Sequence, residues 1–122
     1  MTIALWIVNI LLAAAFLAAG SMKATRSKEQ LAAAGMAWTE DYSAAAVRLI
    51  GVAEVLGAVG LVLPLALSIA PILTPVAAVA LAATMVGAVL THVRRRESFT
   101  PSLVLGVVSV VSAVLGFLVV LG

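Results

Sequence analysis

The sequence predicts an all-α integral membrane protein, a four-helix bundle with a short interfacial helix in its first cytoplasmic connection. Three observations carry that prediction. Of 122 residues, 65% are hydrophobic and only 10% charged, and mean hydropathy is +1.29; a soluble domain carries about 25% charged residues. Four apolar runs of roughly 20 residues have the length that crosses a bilayer as a helix. All seven lysines and arginines fall in clusters beside those runs, where they report topology. The chain reads as one domain over 1–122, with spans at about 3–21, 44–63, 71–92 and 101–121.

The first span runs from Ile3 to Ser21. Small residues near its end resemble a cleavage site, but a signal peptide needs a positive region ahead of its apolar core. Here Lys23, Arg26 and Lys28 follow the run instead, so it reads as a retained helix, with Trp6 suited to the headgroup level at its outer end. The connection from Lys23 to Tyr42 is the longest. In it Ser27 and Gln30 fit a capping box, Leu31 to Ala34 continue a short helix, and Gly35 can end it. Met36, Trp38 and Tyr42 are interfacial anchors, and Glu40 and Asp41 complement the dipole of the next helix.

Ser43 is the expected N-cap of the second span, which runs from Ala44 to Leu63 and is ended by Pro64. Leu65 to Ala70 form an apolar turn. Thr74-Pro75 reads as cap and first residue of the third span, which continues to His92 and stops at Arg94-Arg95-Arg96-Glu97. Thr100-Pro101 repeats the signal for a fourth span that ends at Leu121.

Four spans place Lys23, Arg26, Lys28, Arg48, Arg94, Arg95 and Arg96 on one side and no lysine or arginine on the other. By the positive-inside rule the basic side is cytoplasmic and both termini lie outside. The net charge of +2 therefore faces the lipid bilayer, and no nucleic-acid partner is expected. The chain has no cysteine and one histidine. That composition excludes disulfides, a CxxC pair, c-type haem attachment and thiolate metal sites, and a multi-histidine metal centre held by this chain alone.

Glu54 is the only ionisable residue between Leu49 and Leu63. A carboxylate inside a membrane span is costly and marks a functional site by default. Counted from the cytoplasmic helix ends, Glu54 lies about 15 Å deep, Asn9 about 18 Å, Thr84 about 12 Å, and Ser109 and Ser112 about 14–18 Å. A bundle that turned these residues inward would form a polar pocket around Glu54. The plainer alternative is structural: hydroxyls that satisfy their own helix backbones, and a Glu54 that only joins helices through Asn9 or Thr84. Lys23 and His92 are the cations available at the mouth, and Thr84, Thr91 and the neighbouring His92 recur about two turns apart on one helix.

Three stretches carry a resemblance. They are Phe16-x-x-x-Gly20-x-x-Lys23, then Arg48-Leu-Ile-Gly51-Val-Ala-Glu54-Val-Leu-Gly57-Ala-Val-Gly60-Leu-Val-Leu-Pro64, then Thr91-His92-Val-Arg94-Arg95. Together they resemble the DoxX-like family of small four-helix bacterial membrane proteins, over nearly the whole chain and best in the second span. That resemblance implies a bacterial inner-membrane location and recurrent polar residues at Lys23, Glu54 and His92. The family takes its name from a subunit of an archaeal thiosulfate:quinone oxidoreductase, and some relatives associate with membrane redox complexes.

The leading functional expectation is an accessory component of a membrane redox or oxidative-stress system. It binds a small amphipathic molecule, with quinone as the candidate, in a pocket of Glu54, His92, Lys23, Asn9, Thr84 and Gly51. Whether the chain is itself an enzyme stays open, since it lacks the ligands to hold a cofactor alone. The alternatives are a non-enzymatic assembly protein that docks its glycine- and alanine-rich helices on a membrane partner or a second copy, and a small transporter.

Overall fold

The structure, a computed structural model, describes residues 1–122. Helices α1 (Thr2–Thr25), α2 (Lys28–Ala33), α3 (Ala44–Leu67), α4 (Leu73–Arg94) and α5 (Thr100–Leu121) follow in order, with a 3-10 turn at Ala37–Asp41 between α2 and α3. α1, α3, α4 and α5 are each long and apolar enough to cross a membrane. They close a ring in which α1 packs on α3, α3 on α4, α4 on α5 and α5 on α1. The all-helical membrane bundle read from the sequence is the fold observed.

Leu12, Phe16, Ala58, Leu61, Ala78, Leu81, Met85 and Ala113 form the core, with every long helix represented. Leu11, Leu49, Leu56, Leu90 and Val107 point outward and stay exposed. These helices are apolar all round, as spans in lipid must be. What separates inside from outside is therefore residue size and polarity rather than hydrophobicity. Gly57 packs on Leu81, Gly60 on Ala77, Gly106 on Met85 and Gly116 on Pro75, so small residues set how closely neighbouring helices approach.

Local signals explain most helix ends. Ser27 Oγ accepts from the Gln30 N–H at 3.2 Å while Gln30 Oε1 accepts from the Ser27 N–H at 3.0 Å, which completes the capping box. Ser43 Oγ accepts from the Ala46 N–H at 3.1 Å. Gly35 follows α2 with φ +96°, a left-handed conformation that glycine adopts without strain.

Four boundaries differ from expectation. α1 continues one turn past Ser21, to Thr25, so Lys23 belongs to the helix and not to the connection. α3 runs through Pro64 to Leu67. Proline removes its own donor and crowds the Gly60 carbonyl, yet the helix continues and closes three residues later, where the Ile69 N–H reaches the Pro64 carbonyl at 3.2 Å. Thr74 lies inside α4 instead of capping it, with its hydroxyl buried and unpartnered. Likewise Thr100 is already helical, after Phe99.

The segment from Lys28 to Tyr42 folds back over the basic end of the bundle. Leu31 is its buried anchor, and Tyr42 reaches across to Thr91 on α4.

Candidate functional site

The site begins at the crossing of α1 and α3. Gly20 and Lys23 are three residues apart, as are Gly51 and Glu54, so each pair shares one helix face. The helices run antiparallel, and each glycine therefore lies against the other helix's charged residue. A Cβ on Gly51 would come within 2.6 Å of the Gly20 carbonyl oxygen and 2.8 Å of Lys23 Cβ. One on Gly20 would come within 2.7 Å of the Gly51 carbonyl oxygen and 3.0 Å of Glu54 Cβ. Only hydrogen at both positions lets the backbones close to this distance, and that closeness brings Lys23 Nζ to 2.5 Å from Glu54 Oε1. The Glu54 side chain is 1% exposed and that of Lys23 10%.

Above the pair sits an aromatic roof. Lys23 Nζ lies 5.3 Å from the Trp38 ring centroid, within cation–π range. Trp38 meets Tyr42 edge-on at 5.7 Å and His92 edge-on at 6.4 Å. Tyr42 Oη and Thr91 Oγ1 are 2.7 Å apart. Thr91 already donates to the Gly87 carbonyl at 3.0 Å, so Tyr42 is the donor between them.

A charged strap ties this roof to the end of α4. Arg95 Nη1 lies 2.9 Å from Asp41 Oδ2 and Arg95 Nε 3.3 Å from Glu97 Oε2. The other Glu97 oxygen lies 2.6 Å from His92 Nδ1. The hydrogen bond from His92, reinforced by Arg95, holds the Glu97 carboxyl below the usual carboxylate range despite the cost of its partial burial. The hydrogen bond to Asp41, with Glu97 adding to it, raises Arg95 above the ordinary guanidinium value.

Between floor and roof is a cavity of about 480 Å³, inside the range of small-molecule sites. Lys23 and Glu54 form its floor, Thr84, Thr91 and His92 of α4 one wall, and Ser102 and Leu105 of α5 another, under Trp38 and Tyr42. Four of the six residues singled out by sequence, Lys23, Glu54, Thr84 and His92, border this space. Gly51 acts one step away, through the crossing. The Thr84 hydroxyl is turned to its own helix, donating to the Ala80 carbonyl at 2.9 Å, as Ser109 does to Leu105 at 2.7 Å.

Asn9 lies elsewhere. Its Nδ2 donates to the Leu61 carbonyl at 2.8 Å and its Oδ1 accepts from Ser112 Oγ at 2.5 Å. This node joins α1, α3 and α5 about 10 Å further along the bundle than Glu54, since Leu61 is seven residues on. The offset comes from the extra turn of α1: Asn9 is about 24 Å from Thr25 rather than about 18 Å from Ser21.

From sequence alone Trp38 and Tyr42 read as membrane anchors, and nothing in the sequence joins Asp41, Arg95 and Glu97. The usable signal was a connection with its own capped helix, too long for a simple link, that carries three of the chain's aromatic and acidic side chains at 38, 41 and 42. No three His, Cys, Asp or Glu side chains converge as a metal site requires. What the floor offers is an ammonium donor beside a carboxylate acceptor, shielded from water.

The family model of the DoxX-like family matches residues 7–120, which is nearly the whole chain. No curated protein and no solved structure matches it. The chain belongs to the DoxX-like family.

Proposed function

We propose that this DoxX-like membrane protein binds a small amphipathic molecule, with quinone the favoured candidate, over the Lys23–Glu54 pair. In this reading it serves a membrane redox or oxidative-stress system as an accessory component. The observation that carries the proposal is a buried ion pair forming the floor of a cavity. An ion pair in a low-dielectric interior adds little net stability compared with apolar packing, and charged groups within spans mark sites. A quinone carbonyl would accept from Lys23 Nζ, and a quinol hydroxyl would donate to Glu54. His92 and Glu97 stand at the mouth, where a proton can pass to water.

The gathering of all lysines and arginines at the cavity's end of the bundle supports a cytoplasmic mouth in a bacterial inner membrane, with both termini outside. The assembly reading drew on small residues at helix surfaces. Gly20, Gly51, Gly57, Gly60, Gly106 and Gly116 all face neighbouring helices of this same chain, which favours the ligand reading over docking on a partner.

The test is a titration of purified protein with decylubiquinone, read by quenching of Trp38 fluorescence. Glu54→Gln is expected to weaken binding at least tenfold. Unchanged affinity in that variant would count decisively against the site.

A further inference from the structure

Resting on that reading, the geometry points to where the ligand's hydrocarbon tail lies: in a gap between the basic-end halves of α3 and α4, open sideways to the bilayer at Gly87. The seam between these helices is closed in its far half, where Gly57 meets Leu81 and Gly60 meets Ala77. Two turns nearer the basic end, Ile50 stands on the same face of α3 as Gly57, and Thr84 on the same face of α4 as Ala77. There both residues border the cavity instead. A Cβ on Gly87 would find no atom within 4 Å, and Ala83 and Gly87 border the cavity and are exposed. At this end the α1–α3 seam is shut by Gly20 against Gly51, and Met85 fills the α4–α5 seam at Gly106.

The opening at Gly87 faces hydrocarbon. Gly87 lies seven residues inside the end of α4, about 10 Å along its axis. On the water side the cavity is narrowed by Trp38 and Tyr42, pinned by Thr91 and by the Arg95–Asp41 pair, with Gly35 and Ser98 exposed beside them. A ligand dissolved in the membrane therefore meets an open edge at Gly87, while the polar basic end, held by the strap, is left to the head group. The occupant is a single chain rather than a partner's helix. Two turns of a helix 10 Å across take up about 850 Å³, and the whole cavity holds about 480 Å³. Side-chain size at Gly87 and Ala83 then decides which tails fit, just as Lys23 and Glu54 select the head.

The test uses acyl chains themselves as the probe. Trp6→Phe leaves Trp38 as the sole tryptophan. The protein is reconstituted in phosphatidylcholine vesicles with either ordinary or dibrominated chains, bromine being a contact quencher. Trp38 emission is expected to fall at least twofold in the brominated vesicles. Gly87→Phe should remove most of that quenching and Gly87→Ala should keep it. Because the chain has no cysteine, Gly87→Cys supplies a version that cannot be confused with misfolding: the folded protein is labelled with a bulky alkyl thiosulfonate, and quenching should drop on labelling. Equal quenching with the position open or blocked, or no quenching in either, overturns the gap. Decylubiquinone affinity in Glu54→Gln reports separately on the head site, so one can fail while the other stands.

Discussion

Replacing Lys23 by methionine removes the partner of a carboxylate that has no other. At 2.5 Å, with an effective dielectric of about 20, the attraction between the two charges is about 7 kcal/mol. Desolvation costs several kcal/mol for each ion, so the intact pair is close to neutral in its net effect. Removing one partner forfeits the attraction but leaves the other group's desolvation in place, which destabilises by about 3–5 kcal/mol. Lys23→Met and Glu54→Leu should each show that loss when unfolding is followed by circular dichroism in mixed micelles. The double variant should recover to within about 1 kcal/mol of the wild type, since two apolar side chains replace a pair that contributed little. It should also fail to bind decylubiquinone. Single losses below about 1 kcal/mol, or a double variant as unstable as the two singles combined, would refute the account of this pair.

Other outcomes follow from the same geometry. Gly51→Val forces a Cβ onto the Gly20 carbonyl oxygen and should cost about 1–3 kcal/mol, with decylubiquinone binding weakened because Lys23 and Glu54 are pushed apart. Asn9→Leu unlinks α1, α3 and α5, costing about 1 kcal/mol as for other hydrogen bonds between membrane helices; ligand affinity should not change, because Asn9 is remote from the cavity. For the strap, the sign is set by Glu97, which is held below its ordinary value in the folded protein. Its contribution is complete above the ordinary glutamate range of about 4.3 and is lost as pH falls through the depressed value. Trp38 emission should report roof opening in that acidic window, and Glu97→Gln should flatten the transition. Tyr42→Phe removes the donor to Thr91 and should loosen the same roof by about 1 kcal/mol.

The spans were legible because crossing length and charge placement are properties of composition along the chain, and tertiary packing does not alter them. Which face of each span points inward was not legible, because residues such as Leu11 and Leu12 differ in exposure and not in chemistry. Depth was harder still. A single extra turn on α1 moved Asn9 away from Glu54 and carried Lys23 into the helix, where it became the partner that sequence reading sought at the mouth. Long lysine side chains extend along apolar surface, so their own position understates how far the ammonium reaches. The roof was hidden for another reason. Its parts come from two connections more than 50 residues apart, Asp41 in one and Arg95 and Glu97 in the other, and only the closed ring of helices brings them together.

The reciprocal crossing of α1 and α3 also bears on how the protein is made. α1 is synthesised first, and its ammonium, near the helix end, can stretch toward the headgroups while it waits. α3 follows with a carboxylate about 15 Å deep, too far from either surface for so short a side chain to escape. Its comfortable residence in lipid begins only when it docks on α1, glycine to glycine. A chain that has mispaired its first and second spans leaves a lone acid in hydrocarbon, a costly state that correct docking of α3 on α1 removes.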